Sequence, residues 1–565
     1  MADNRSVKSG IWLLAVPLAF LGAFYFFPLG KLVSLALSQS NSLIDKPINW
    51  QIITRATEFT FFQAGLSTIL TILLGLPAAF LFGRFNFPGK NSLRIASTLP
   101  FILPTVVVAA GFNALIGPKG WLNLFLMEVF NSSTPMINIQ NTLTAILLAH
   151  VFYNTSIVIR IVGSSLAQLD RRLEDAAQTL GASPWKTFIK VTLPLIMPSI
   201  LSAVLLVFLF NFTSFGVILM MGGPGFTTLE VEIYIQTMQY LNLPLAGILS
   251  LIQLSFTMLA TVLLLRTGDR GMGIPVMPRL KQEGLRVPSK NWEKVFTFTI
   301  VLLLLILLTS PIISLVIRSF SVTAPASYGG ASERIRFSFN HFRELFINRQ
   351  QSLFYVPPIK AVWNSLRFAG FSAFVSLILG MLLAYGLRFS RSPRSVSLMM
   401  MLPLGTSAVT LGLGFFTAFA SIAGSQRWAG MLIPLVHVLI SLPFVLRVIQ
   451  PALQSIPHNL KFAAQSLGAK PLEVWRYVEL PIIWRALMTA AVYAFTISLG
   501  EFGATSFLSR PDMPTMPVAI FRYLNLPGSS NYGQAMAMAV IILFVCIASM
   551  AFLDRLQFNP NAGTS

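Results

Sequence analysis

The residues of this chain that could do chemistry are few, and they stand inside long apolar segments. The clearest is Glu501, an acid within a run of otherwise apolar or small residues. His150 and His437 lie in two further apolar segments, and Cys546 is the one cysteine among 565 residues. Ionisable groups are costly in such segments and are therefore candidates for function. Glu501 could assist a cationic solute, and the two histidines could meet at a metal ion.

The sequence lacks the residues that a disulfide, a cysteine-based zinc site, a membrane-embedded enzyme or a phosphate loop would need. One cysteine supplies neither an intrachain disulfide nor a cysteine-based zinc site. The four histidines are spread along the chain and do not form the constellation of a membrane-embedded enzyme. The stretch 83–91 lacks the spacing and the Mg²⁺-binding hydroxyl of a phosphate loop. We therefore expect no catalytic residues, no cofactor bound by this chain and no assigned metal site.

The elements that position these residues are membrane helices. Charged residues make up 10% of the chain, hydrophobic residues make up 55%, and the mean hydropathy is +0.73, whereas soluble domains carry about 25% charged residues. A bilayer core needs about 20 apolar residues per helix. The sequence predicts an all-α polytopic membrane protein with about twelve spans: 11–37, 58–82, 95–116, 142–165, 196–221, 243–265, 295–317, 363–387, 396–420, 429–449, 484–508 and 533–553.

The excess of positive charge predicts the orientation of these spans. The chain has 40 Lys and Arg against 19 Asp and Glu. With the N terminus inside, the cytoplasmic segments hold 23 of the 40 basic residues and the outer loops hold 13. Because Lys and Arg collect on cytoplasmic loops, we expect both termini in the cytoplasm. The net charge of +21 then needs no nucleic-acid partner.

The chain contains an internal repeat of two similar halves. The matching residues lie 287 positions apart: His150 and His437, Ala176-Ala177 and Ala463-Ala464, Gly181-Ala182 and Gly468-Ala469, Leu193-Pro194 and Leu480-Pro481. Six spans in each half keep both halves in the same orientation, so the repeat is parallel and predicts a shared pathway between the halves. We divide the chain into a first half (1–265), a basic cytoplasmic linker (266–294) and a second half (295–565).

The best-preserved part of the repeat is the cytoplasmic loop between the fourth and fifth spans, 171–195 and 458–482. In the first copy a helix ends at Gly181, a natural residue for a helix C terminus. Ser183-Pro184 then starts a second helix, which we expect to end before Leu193-Pro194. Two matched loops favour docking of two copies of one soluble partner. The alternative is a pair of ordinary amphipathic connectors on the membrane surface.

The first loop resembles the "EAA" loop of bacterial type I, MetI-like ABC importer permeases. That resemblance implies insertion of the loop into a groove of an ATPase subunit. The residues that match the family pattern are Asp175, Ala176, Ala177, Gly181, Ala182, Leu193 and Pro194, and in the second copy Ala463, Ala464, Gly468, Ala469, Leu480 and Pro481. The family's glutamate is Asp175 in the first copy and Phe462 in the second, so the contacts at the two sites are not expected to be identical.

A second resemblance narrows the function. The segment 498–505, Ser-Leu-Gly-Glu-Phe-Gly-Ala-Thr, is similar to the gate region of fused iron(III) and thiamine permeases. It implies a bacterial inner-membrane importer with an extracytoplasmic solute-binding protein and two copies of a cytoplasmic ATPase that uses ATP and Mg²⁺. We expect ferric iron as the substrate, with thiamine, polyamines or phosphonates as alternatives. A secondary transporter with twelve spans is the alternative of a different class.

Several residues are candidates for the pathway or its gate. Glu501 would either help a cationic substrate pass or pack the gate helix against the other half. The remaining candidates are Ser214, the repeat partner of Glu501, and Asn211, Phe215, Phe502, His150 and His437. In the outer loops, Glu230, Glu232, Arg510 and Asp512 are candidates for docking the binding protein.

Overall fold

The computed structural model describes residues 4–41, 49–132, 134–268, 285–323, 335–347, 356–390, 392–423 and 429–557. These residues are mostly helical, with one short antiparallel strand pair, Ser321–Thr323 and Ile335–Phe337. Among them, ten helices are long and apolar enough to cross a membrane, and two sharply bent helix pairs raise the number to twelve if each pair is one span. The predicted all-α polytopic architecture is confirmed.

The described helices fall into two compact units. The first-half unit comprises residues 45–235 and 252–339, and the second-half unit comprises residues 1–44, 236–251 and 340–565. Helices from Trp50 to Phe320 are Trp50–Arg84, Lys90–Ala96, Leu99–Ile102, Thr105–Ile116, Trp121–Val129, Leu143–Gln168, Arg171–Thr179, Pro184–Thr187, Phe188–Thr192, Leu193–Phe212, Gly216–Met221, Leu229–Met238, Leu243–Gly268 and Asn291–Phe320.

The remaining helices lie in residues 4–41 and 340–557. They are Asn4–Leu21, Gly22–Phe26, Phe27–Asn41, Asn340–Glu344, Ile359–Gly386, Leu387–Phe389, Pro393–Met401, Leu402–Gly405, Ala408–Ala418, Ala420–Ala423, Ala429–Gln454, His458–Ser466, Pro471–Val474, Trp475–Glu479, Leu480–Gly500, Gly503–Leu508, Met516–Leu524 and Ser529–Gln557. Of the predicted linker, residues 269–284 lie outside the described part of the chain.

The second and fourth spans of each half form a tightly packed pair. A Cβ atom added at Gly75 would come within 2.7 Å of the Val158 side chain, and one at Gly380 within 2.5 Å of the Val445 side chain. Small residues allow membrane helices to approach this closely. The same contact recurs in both halves of the repeat. Each cytoplasmic loop directly follows the fourth span, so it begins at the end of this tightly packed helix pair.

The first span of each sequence half packs within the unit that holds the core of the other half. In the second-half unit, the hydroxyl of Tyr25 lies 2.8 Å from that of Thr406. In the first-half unit, a Cβ atom at Gly111 would lie 2.9 Å from the carbonyl oxygen of Pro311. The compact units therefore differ from the two sequence halves, because each unit contains the first span of the other half. The boundaries 1–265, 266–294 and 295–565 remain a prediction about the repeat.

The third spans, predicted at 95–116 and 396–420, are each a pair of helices with a sharp bend between them. Lys90–Ile102 meets Thr105–Val129 at 112°, and Ser395–Gly405 meets Ala408–Ala418 at 94°. At the first bend, Pro104 has no N–H to donate and restricts the residue before it. At the second, the Ser407 hydroxyl accepts a hydrogen bond from the Thr410 N–H at 3.0 Å and so starts a new helix.

Candidate functional site

The first of the two loops folds as the sequence predicts at its centre. Its helix, Arg171–Thr179, is followed by Gly181 with a φ of 86°, in the left-handed region that glycine adopts at little steric cost. The Ala182 N–H bonds the Ala177 carbonyl at 3.0 Å and closes the C-terminal turn. The predicted position of Gly181 just beyond the helix is confirmed.

The second loop repeats this geometry. The helix His458–Ser466 is followed by Gly468 with a φ of 85°, and the Ala469 N–H bonds the Ala464 carbonyl at 3.1 Å. The next helix starts at Pro471, as the repeat predicts. Two segments with different sequences between the matching residues have therefore taken the same backbone conformation.

The predicted end of the second loop helix before the Leu-Pro pair is wrong. In each loop this helix continues into the fifth span. The continuation passes through a π-turn, Phe188–Thr192 in the first loop and Trp475–Glu479 in the second. The Leu193 N–H bonds the Phe188 carbonyl five residues earlier, and this wider turn accommodates Pro194, which has no N–H to donate. Each loop is thus joined to its fifth span by unbroken helix.

Apolar side chains project from both loops. Leu180 and Leu467, which directly precede the two glycines, are each 89% exposed. Trp185 and its repeat partner Leu472 are 70% and 73% exposed. Contiguous exposed apolar groups mark interaction surfaces. We did not single out these four residues from the sequence, although a leucine before each glycine was a signal available there.

The predicted coupling residues take matching positions in the two loops. Those exposed are Asp175, Ala176, Gly181 and Pro194 in the first, and Ala463, Gly468 and Pro481 in the second. Those half-buried are Ala177, Ala182, Leu193, Ala464, Ala469 and Leu480. Phe462, which replaces the family's acid, is 62% exposed and adds to the apolar surface of the second loop.

Glu501 stands at a helix break immediately after Leu480–Gly500. Its carboxylate accepts hydrogen bonds from the N–H groups of Ala504 at 2.7 Å and Thr505 at 2.9 Å, and lies 3.2 Å from His437 Nε2. Backbone donors need such partners in a bilayer, and a carboxylate suits a helix N terminus. These bonds lie within the second-half unit, so Glu501 is placed as a helix cap and a partner of His437.

The two repeat-related histidines are buried and hydrogen-bonded. His150 Nδ1 lies 2.9 Å from the Ser67 hydroxyl, and its Nε2 lies 2.8 Å from the Ser214 hydroxyl. His437 Nδ1 lies 2.7 Å from the Ser498 hydroxyl. The rings link helices within their own units. Across the part of the chain that the structure describes, no three His, Cys, Asp or Glu residues are grouped to hold a metal ion.

Asn211 lies at the centre of a buried polar network in the first-half unit. Its side-chain oxygen accepts a hydrogen bond from Asn154 Nδ2 at 2.7 Å, and its backbone carbonyl accepts one from Gln63 Nε2 at 2.8 Å. Its own amide donates to the Thr68 hydroxyl at 3.3 Å. The network therefore ties the second, fourth and fifth spans together at the level where the fifth span ends.

Phe215 and Phe502 are buried as well and pack in the same way in the two halves. The Phe215 ring lies 5.4 Å from the Tyr234 ring, and the Phe502 ring lies 5.5 Å from the Phe521 ring, between centroids. Tyr234 and Phe521 are themselves one repeat apart. Each pair packs the break after the fifth span against the following helix, and a pathway role for the phenylalanines stays a prediction.

Two of the four residues predicted as candidates for an outer docking surface are buried. Glu230 and Glu232 lie in the helix Leu229–Met238 and are 0% and 8% exposed, so that prediction is wrong. The Gly-Gly-Pro-Gly segment 222–225 predicts an outer loop that continues past these acids, whereas the chain forms a packed helix there. Arg510 and Asp512 pair at 3.2 Å and remain about one-third exposed.

Comparison with known proteins identifies the family. The family model described as "Binding-protein-dependent transport system inner membrane component" matches residues 71–326 and 376–559. This chain belongs to that family. It is a fused ABC importer permease, a multi-pass protein of the inner membrane and not an enzyme. The two matches agree with the internal repeat and confirm the resemblance seen in the loops.

Relatives match over most of the chain. The thiamine transport system permease protein ThiP of Salmonella typhimurium is 27% identical over 518 residues, which are 88% of each chain. ThiP of Brucella abortus is 25% identical over 544 residues, 93% of this chain and 92% of the relative. The structure of a bacterial ABC transporter involved in alginate import aligns with 47% of this chain and 96% of its own chain, at 16% identity and a TM-score of 0.38.

Proposed function

We propose that this chain is the permease subunit of an ATP-driven importer of thiamine. Thiamine is favoured by relatives named as thiamine permeases, which match about nine-tenths of the chain. Ferric iron, the substrate first expected from the sequence, finds no support among these relatives. The family membership removes the secondary transporter as an alternative.

The two loops are the docking sites for a cytoplasmic ABC ATPase, one copy on each loop. The observation that carries this assignment is the matched pair Leu180 and Leu467, each 89% exposed beside a left-handed glycine. Exposed leucines on a water-facing loop are unfavourable unless a partner covers them. Matching backbone and matching apolar groups suit two copies of the same partner. The loops and both termini then lie in the cytoplasm, as the distribution of Lys and Arg indicates.

Each loop is joined to its fifth span by continuous helix, so a movement of the ATPase that displaces the loop can reach the membrane. The second helix of the loop runs through a π-turn into the fifth span, Leu193–Phe212 in the first half and Leu480–Gly500 in the second. A displacement of the loop therefore moves the fifth span with it. At the far end, Ser214 and Glu501 connect the break after that span to His150 and His437 of the fourth span.

The remaining partners follow from this function. A solute-binding protein delivers thiamine on the outer side, where Arg510 and Asp512 are candidates for contact. ATP and Mg²⁺ are used by the ATPase and not by this chain. The lipid bilayer surrounds the spans, and no nucleic acid takes part.

A complementation experiment tests the proposal. This chain is expressed, with the ATPase and the binding protein from its own source organism, in a bacterium that can neither make nor take up thiamine. Growth is followed at limiting thiamine. We expect growth with the wild-type chain and none with the Leu180→Asp, Leu467→Asp variant. Absence of growth with a wild-type chain present in the membrane, or equal growth with the variant, contradicts the proposal.

A further inference from the structure

An ion pair between a buried arginine and a half-buried glutamate ties the first loop to the end of the second span. Glu174, on the loop helix, pairs with Arg84 at the end of Trp50–Arg84. Glu174 also accepts a hydrogen bond at 2.5 Å from the hydroxyl of Thr192, the last residue of the π-turn. Arg84 and Thr192 are 6% and 2% exposed. One carboxylate thus joins the loop helix, the second span and the start of the fifth span.

The second loop is also tied to the end of its second span, but its acid stands at a different position. Glu479 replaces Thr192 at the end of the π-turn, and Lys461 replaces Glu174 on the loop helix. Arg388 lies at the end of the second span of its half, as Arg84 does, and donates to Glu479 at 3.1 Å, while Lys461 pairs with the same carboxylate.

Two further observations show that this arrangement is built into the fold. The Tyr385 hydroxyl donates to Glu479 at 2.7 Å, and a second Arg388 nitrogen donates to the Leu453 carbonyl at 2.7 Å. Glu479 is only 6% exposed. Adventitious surface pairs contribute little and have no reason to recur in both halves, whereas removing one partner of a buried pair leaves an uncompensated charge.

We propose that these two clamps, Arg84–Glu174–Thr192 and Arg388–Glu479–Lys461, couple the ATPase-driven movement of each loop to its second span. This inference rests on the proposed function of the loops as ATPase docking sites. Arg84, Thr192 and Glu479 are buried, Glu174 and Lys461 are half-buried, and Arg388 is exposed while its guanidinium bonds Glu479 and the Leu453 carbonyl. The clamp residues therefore act through the helices that they join. They are positioning residues, distinct from the exposed leucines that contact the partner.

The repeat itself supplies the decisive variants. Glu174→Lys places two positive charges together and breaks the first clamp. Adding Thr192→Glu to Glu174→Lys recreates in the first loop the charge arrangement found in the second, with Arg84 unchanged. We expect the single variant to lose coupling and the double variant to regain it, although the double variant carries more substitutions.

Movement of the second span is measured directly, so the test does not depend on the substrate. Cys546→Ala removes the native thiol, and Phe62→Cys, at a side chain 57% exposed on the second span, carries a bimane fluorophore. In the complex with its ATPase, ATP should change the bimane emission. Glu174→Lys should remove most of that change, while the ATPase still co-purifies. The double variant should restore it.

A matched control separates coupling from stability. Glu344, half-buried in the helix Asn340–Glu344, accepts a hydrogen bond from Gln534 Nε2 at 3.1 Å and belongs to the unit that does not hold the first clamp. Glu344→Gln should lower the thermal midpoint and leave the ATP-induced change intact. The proposal is overturned if ATP causes no change in the wild type, if Glu174→Lys responds normally, or if the double variant stays unresponsive. Failure of thiamine uptake with normal clamp responses refutes the substrate and not the clamps.

Discussion

Ser214 and Glu501, one repeat apart, both approach the Nε2 atom of the histidine at the matching position of the fourth span. The distances are 2.8 Å from Ser214 Oγ to His150 and 3.2 Å from Glu501 Oε2 to His437. Each contact joins the fourth span to the break at the end of the fifth. The two halves have therefore kept a polar link while changing its charge, as they also have in the clamps beside the loops.

Replacing Glu501 by Gln should lower stability more than transport. Gln offers one acceptor oxygen, so the N–H groups of Ala504 and Thr505 lose part of their cap and His437 loses an acidic partner. Hydrogen bonds to charged groups contribute about 1.5–3 kcal/mol each, and we expect a loss of about that size in thermal unfolding in detergent. Uptake per folded molecule should stay close to wild type. Normal stability with abolished uptake would instead assign Glu501 to the pathway.

Replacing Leu180 by Asp should weaken ATPase binding without unfolding the permease. The side chain is 89% exposed, so folding loses little, whereas an apolar anchor at an interface is typically worth more than about 1.4 kcal/mol, or tenfold in Kd. Titration of the purified ATPase onto the permease in nanodiscs measures this. Val287→Asp, at a side chain 70% exposed beside the end of the second span, is the matched control. Equal effects of the two substitutions would show that the loop is not the docking site.

Replacing Gly111 by Leu should destabilise the first-half unit. A Cβ atom there would lie 2.9 Å from the Pro311 carbonyl oxygen, so a larger side chain must push the first span of the second half away from the bent third span. Overpacking of this kind costs about 1–3 kcal/mol. Gly65→Leu is the control, since nothing lies within 4 Å of an added Cβ atom there. Thermal stability in detergent should fall for Gly111→Leu alone, and an equal fall for both would contradict the packing described.

Much of this structure was predictable from periodic features of the sequence. Long apolar runs indicate most spans because a bilayer imposes their length. The glycines of the loops indicate the helix ends because a left-handed residue is needed there, and Gly181 and Gly468 have φ values of 86° and 85°.

Features that depend on distant parts of the chain were not predictable. The π-turn Phe188–Thr192 shifts hydrogen bonds by one residue without altering the hydropathy pattern. The pairing of Glu174 with Arg84 joins residues 90 positions apart. The burial of Glu230 depends on helices that pack around it. In each case tertiary packing, which one sequence does not display, decides the outcome.

We propose that two matched loops couple ATP hydrolysis by a separate ATPase to thiamine import. The most direct test is uptake of radiolabelled thiamine into proteoliposomes that contain this chain and its ATPase, with the binding protein and thiamine outside and ATP enclosed. We predict accumulation that requires enclosed ATP and is lost in the Leu180→Asp, Leu467→Asp variant. No thiamine accumulation, or accumulation driven by an ion gradient without ATP, would contradict the claim.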